Sequence, residues 1–105
     1  MATTTSKVLA RTAAATSSAT LYTVPNSSTT TVVTNIVAAN TSASAVTFTV
    51  AIDAVQVLGT VALAANSTAF FDLKQVIPAN ATPKTITGFA SSTSVNFHIS
   101  GVEIV

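Results

Sequence analysis

The chain contains no cysteine and no tryptophan, and only three glycines and three prolines in 105 residues. Without cysteine there can be no disulfide and no thiolate ligand for a metal. Charge is also scarce. Four basic and three acidic residues make up 7% of the chain, where a typical soluble domain carries about 25%. Enzymes need convergent ionisable groups. A few scattered ones lead to the expectation of a non-enzymatic chain with no catalytic residues, no cofactor and no metal site. A nucleic-acid binder shows clustered Lys and Arg. Here Lys7 and Arg11 are the only close basic pair, so no nucleic-acid partner is expected. Long apolar runs are missing too. Arg11 and Thr12 interrupt the stretch from Val8 to Ala15, so neither a signal peptide nor a membrane span is expected. The simplest expectation is synthesis in the cytoplasm.

What remains is 49% apolar residues set among Ser, Thr and Asn, with a net charge of +1. One real core is within reach at this length. Little charge repulsion separates one copy from another, which predisposes the chain to assembly.

Thr, Val and Ile dominate, and turn residues recur at short intervals, the pattern of an all-β sandwich. Thr20–Val24 reads as a strand closed by Pro25. A second strand, Thr30–Ala39, has one face made of Val32, Thr34, Ile36 and Ala38. A third is the cleanest: Val46, Phe48, Val50 and Ile52 alternate with small residues, and period 2 points them into the core. Asp53-Ala54 turns the chain into Val55–Ala64, with a bend at Gly59 and with Val55 and Val57 on one face. Thr68–Leu73 carries Phe70 and Phe71, and Gln75–Pro83 reads as a connection. Lys84–Phe89 and Val95–Val105 complete the set. In the last strand Val95, Phe97 and Ile99 have one parity and Val102 and Ile104 the other, so a bulge at Gly101 would bring both sets to one face. The expected architecture is a single two-sheet antiparallel β-sandwich, immunoglobulin-like or jelly-roll-like, of seven or eight strands over residues 19–105. Residues 1–18 form an extended N-terminal arm.

Each chemical candidate has an ordinary alternative. His98 is the sole general base, but Ser100 and Glu103 share its strand, where side chains two apart are poorly placed for a triad. Asp53, Asp72 and Glu103 are far apart in sequence. Four Asn-x-Ser/Thr motifs, at Asn26, Asn40, Asn66 and Asn80, each fall in an expected turn, where Asn serves the backbone without any sugar. Tyr22, Phe70, Phe71 and Phe89 could make a sugar-binding platform, or, as the stronger reading, fill the core, with Tyr22 needing a partner for its hydroxyl. Charge-poor strands also leave sheet edges with few guards, which points to work inside an assembly.

The segment Leu21-Tyr22-Thr23-Val24-Pro25, the Thr/Val strand ending in Ile36–Asn40, the Ala65-Asn66 turn and the closing Ser100-Gly101-Val102-Glu103-Ile104 together resemble a family of small tailed-bacteriophage virion proteins. The resemblance covers most of the chain. It departs after Ile52, where Asp53-Ala54-Val55 stands in place of a longer loop. It implies a β-sandwich structural protein, expected here as a capsid decoration, or cement, protein on the virion surface. The expected partners are the major capsid protein and further copies in a dimer or trimer. Val8, Leu9, Arg11 and Tyr22 are the expected capsid or subunit contacts. A tail, baseplate or fibre component is the first alternative, and a carbohydrate-binding or adhesion module the second.

Overall fold

The structure is a computed structural model that describes residues 3–105. Eight strands follow one another: β1 (Thr4–Ala13), β2 (Ala19–Thr23), β3 (Thr30–Asn40), β4 (Val46–Ile52), β5 (Val55–Leu63), β6 (Thr68–Ile77), β7 (Thr85–Ala90) and β8 (Val95–Ile104). They form two four-stranded sheets, ordered β1-β8-β3-β6 and β2-β7-β4-β5. Within them β4 pairs with β5, β3 with β6, β2 with β7 and β1 with β8, all antiparallel. The chain is thus one long hairpin, closed at the β4–β5 turn and rolled up so that successive pairs lie in alternate sheets. That is a jelly roll, one of the two sandwich types expected. The molecule is elongated, 49 × 22 × 17 Å.

The core lies between the sheets. Phe48 of β4 is 1% exposed and meets Phe97 and Phe71 edge-on, with ring centroids 5.9 and 6.1 Å away. Val46 and Val50 flank it on the same strand, as alternation requires, while Ile52 is only half-buried.

Five sequence expectations change. Residues 4–13, read as an arm, form the edge strand β1, with Leu9, Ala10 and Ala14 buried. Strand β8 needs a second partner, and β1 supplies it. Strand β6 runs on to Ile77, whose side chain is buried, and Pro78 then ends the ladder by removing a donor. The bulge is not in β8. Val95, Phe97, Ile99, Gly101 and Glu103 all face inward in unbroken alternation, and the extra residues are in its neighbours, Leu9 of β1 and Thr34 of β3. The bulge at Thr34 moves Val33 to the core face ahead of Ile36 and Ala38, and turns Val32 outward. Val55 is exposed, because bulges at Val57 and at Gly59–Thr60 break the phase of β5.

Gly101 has its own reason to be glycine. A Cβ there would collide with the backbone carbonyl of Val32 and approach Leu9 Cδ1 to 2.8 Å. Gly101→Ala is expected to cost at least about 1–3 kcal/mol by overpacking, measured by urea unfolding. At the β4–β5 turn, Asp53 and Ala54 both have positive φ, 53° and 62°. This is the two-residue hairpin turn that favours glycine. Ala54→Gly should therefore raise stability, by about 0.5–1 kcal/mol once the left-handed strain relieved is set against glycine's extra chain entropy, in the same assay.

Candidate interaction surface

Every buried side-chain nitrogen or oxygen among the described residues has a hydrogen-bond partner. Two polar clusters account for much of this. The first crosses between the sheets. Tyr22 on β2 donates its hydroxyl to Glu103 Oε2 on β8 at 2.5 Å, and lies 2.9 Å from Thr31 Oγ1 on β3. Lys7 on β1 closes the cluster with Nζ 3.2 Å from both carboxylate oxygens. Glu103 is 8% exposed, and a buried carboxylate is tolerable only when paired and bonded in this way. The cluster pins the two sheets together at the end where Thr3 and Val105 lie side by side.

Burial, and then the bond to Glu103, push the Tyr22 hydroxyl up from 10.0 to about 12. Below pH 10 the phenol keeps its proton in both states. Between about 10 and 12 the unfolded chain releases it and the folded chain does not, so stability falls as pH rises, by on the order of 2 kcal/mol across that window. Tyr22 is the only tyrosine and there is no tryptophan. Phenolate absorbance therefore reports this one residue: a midpoint near 12 is expected in the native protein and near 10 in denaturant. The same midpoint in both would remove the cluster.

The second cluster is at the opposite end. Asn40, 3% exposed, donates its amide to Ser44 O at 2.8 Å and Ala64 O at 3.1 Å. Its Oδ1 accepts from Ser42 N at 3.0 Å and from Ser94 Oγ at 3.3 Å. One side chain thus ties together the β3–β4, β5–β6 and β7–β8 turns. Asn26 and Asn80 accept from the backbone N–H two residues on, Ser28 and Thr82, and Asn66 takes positive φ, 53°. All four motif asparagines do turn work.

The remaining ionisable groups stay apart. Asp53 pairs with Lys84 at 3.5 Å beside the β4–β5 turn, and Asp72 lies on the edge strand β6, 3.5 Å from Asn35 Nδ2. His98 sits on the outer face of the first sheet with Arg11 and Val37 as cross-strand neighbours. Among the described residues, no group of three or more His, Cys, Asp or Glu is arranged to hold a metal. Phe71 packs in the core, Phe89 is half-buried, and Phe70 is 72% exposed.

The outer face of the first sheet is where apolar side chains meet solvent. Register aligns Val76, Val32 and Val102 in one row, and Phe70, Val37, His98 and Arg11 in another. Val76, Phe70 and Val8 are well exposed. Of the four expected contact residues, Val8 and Arg11 lie on this face, whereas Leu9 and Tyr22 are buried in the sandwich. Leu9 turns inward because it is the bulged residue, and Tyr22 because its hydroxyl is held by Glu103. Phe70 and Val76 were not singled out as contacts. The adjacency of Phe70 and Phe71 was a usable signal, since on a strand two neighbours cannot share a face. The outer face of the second sheet differs. It carries an uncharged groove of about 320 Å³ lined by Thr49, Gln56, Thr85, Thr87 and Phe89.

No protein-family model matches the chain, and no curated protein does. Solved structures do match in fold. A chain of the T13 infectious bursal disease virus particle aligns over 98% of this chain, with a TM-score of 0.57 and 13% identity. A chain of the Gx strain of that virus aligns over 99%, with a TM-score of 0.57 and 14% identity. This chain spans only 30% and 32% of those two. A chain of the Bacillus endospore appendages, described as disulfide-linked pili, aligns over 98% of this chain and 85% of its own length, with a TM-score of 0.50 and 17% identity. At these identities the likeness is one of fold. The described residues include no helix long and apolar enough to cross a membrane.

Proposed function

We propose that this chain is a structural subunit of a virus particle, and more narrowly a bacteriophage capsid decoration protein that binds the outside of the major capsid shell and stabilises it. The observation that carries the reading is the outer face of the first sheet, where Val8, Phe70 and Val76 stand exposed. Val32, Val37 and Val102, half-buried, lie on the strands between them, and apolar side chains gathered on one face of a small domain mark an interaction surface. The fold likeness to chains of a virus particle supports the same direction, as does the sequence resemblance to tailed-phage virion proteins. Many copies on one shell add their contacts, so each contact can be modest. In this reading the chain is not an enzyme, and His98 is a surface residue of the contact face.

The test is sedimentation of the purified chain with shells that lack it. The wild type should co-sediment to saturation. Val76→Asp, at an exposed position, should keep its melting temperature and lose about tenfold or more in affinity, since burying an unpaired carboxylate costs more than about 1.4 kcal/mol. Full occupancy by the variant would rule out this face as the contact.

A tail, baseplate or fibre component is the second reading, favoured by the equally broad likeness to a pilus chain. A disulfide-linked assembly is excluded, because the chain has no cysteine.

A further inference from the structure

The two edges of the first sheet match one another. Its order is β1-β8-β3-β6, and every pair is antiparallel. With four strands, the two outermost run in opposite directions. A second copy placed alongside therefore brings its β1 antiparallel to β6 of the first. The lengths agree, ten residues each. The levels agree as well. Register carries Ala13 across Asn96 and Ala39 to Thr68, and Arg11 across His98 and Val37 to Phe70. In the second sheet β2 and β5 also run oppositely, but β2 has five residues and β5 nine, so the match belongs to the first sheet.

We infer that this chain self-associates head to tail, with Ala10–Ala13 of one copy adding to the Thr68–Phe71 edge of the next. Both stretches lie on the same side of the bulges at Leu9 and Leu73–Lys74, in regular strand. Edges are ordinarily guarded by charge. Here Lys7 is turned back onto Glu103, and Thr68–Phe71 carries no charge. Arg11 is then the one guard at the joint. In the paired register it lies beside Phe70 of the neighbour, where a guanidinium over an aromatic ring is attractive. This gives a use to the most exposed large apolar side chain among the described residues, Phe70 at 72%. Because the two surfaces differ, the contact is heterologous, and repetition makes a closed ring or an open filament. The inference stands apart from the virion reading, since it concerns copies of this chain alone.

The absence of cysteine gives a clean test. Ala13 and Thr68 are both exposed and lie on opposite edges of the sheet, roughly 14 Å apart at three strand spacings, too far for a disulfide within one copy. Purified Ala13→Cys and Thr68→Cys, mixed and oxidised, should give disulfide dimers that neither gives alone, and the double variant should give a ladder. The mass of the wild type by light scattering should rise with concentration. Phe70→Lys in the Thr68→Cys chain, folded by circular dichroism, should lower the cross-linked fraction about tenfold, because it removes the ring and sets a like charge against Arg11 of the neighbour. A monomeric mass at every concentration would overturn the inference. So would homodimers of either single variant, which signal a two-fold face-to-face contact, or the Phe70→Lys chain cross-linking as well as the Thr68→Cys chain that keeps Phe70.

Discussion

Phe48→Ala is expected to lower the unfolding free energy by about 3–5 kcal/mol, a large share of the roughly 5–15 kcal/mol that holds a domain folded. Phe48 is the side chain that both sheets share. It projects from β4 in the second sheet and packs edge-on against Phe97 and Phe71 of the first, and it is 1% exposed. Its removal leaves a cavity that Val46 and Val50, fixed by their own strand, cannot fill. The edge-to-face pairs contribute about 0.5–1.5 kcal/mol each beyond area burial. Phe48→Leu keeps most of the volume and should lose clearly less. The check is urea unfolding followed by far-ultraviolet circular dichroism. A loss under about 1 kcal/mol for the alanine variant would mean that the sheets are not held together at this point.

Asn40→Ala should cost about 2–3 kcal/mol, the sum of two or three buried side-chain bonds at about 1 kcal/mol each. The effect comes from the carbonyls of Ser44 and Ala64 and the N–H of Ser42 losing a common partner, which loosens three turns at once. Asn80→Ala is the control. Its one bond, to Thr82 N, is exposed, and its loss should cost less than about 1 kcal/mol. Near-equal melting shifts for the two variants would contradict the assignment of Asn40 as the organiser of that end of the sandwich.

The legible and hidden parts of this fold divide on physical grounds. The alternation in β4 was readable because large and small residues strictly alternate there and no bulge interrupts it. The asparagine turns were readable because Asn next to Ser or Thr satisfies the backbone locally. Bulges were not, since a bulge is a relation between two strands. The apolar parity change around Gly101 was visible in the sequence, but β8 keeps its alternation there, with Glu103 inward and Val102 and Ile104 outward, and the bulges are at Leu9 and Thr34 on the neighbouring strands. The arm was misread for the same reason. Thr4–Ala13 is a strand because β8 offers it an edge, and a Thr-rich stretch with one short apolar patch gives little sign of that. At the surface, Val8 and Arg11, two of the expected contacts, lie exposed on the outer face of the first sheet. Tyr22 and Leu9 were drawn inward by partners distant in sequence, Glu103 and the bulge against β8. Phe70 and Val76 came to light only when β6 was placed at an edge.

The measurement that tests the central claim most directly is cryo-electron microscopy of virions purified from cells that make this chain. The account predicts jelly-roll density repeated over the outside of the icosahedral shell, with the face bearing Val8, Phe70 and Val76 turned toward the major capsid protein. Density confined to the tail would contradict the decoration role while leaving the fold intact, and absence of the chain from the particle would contradict the structural role altogether.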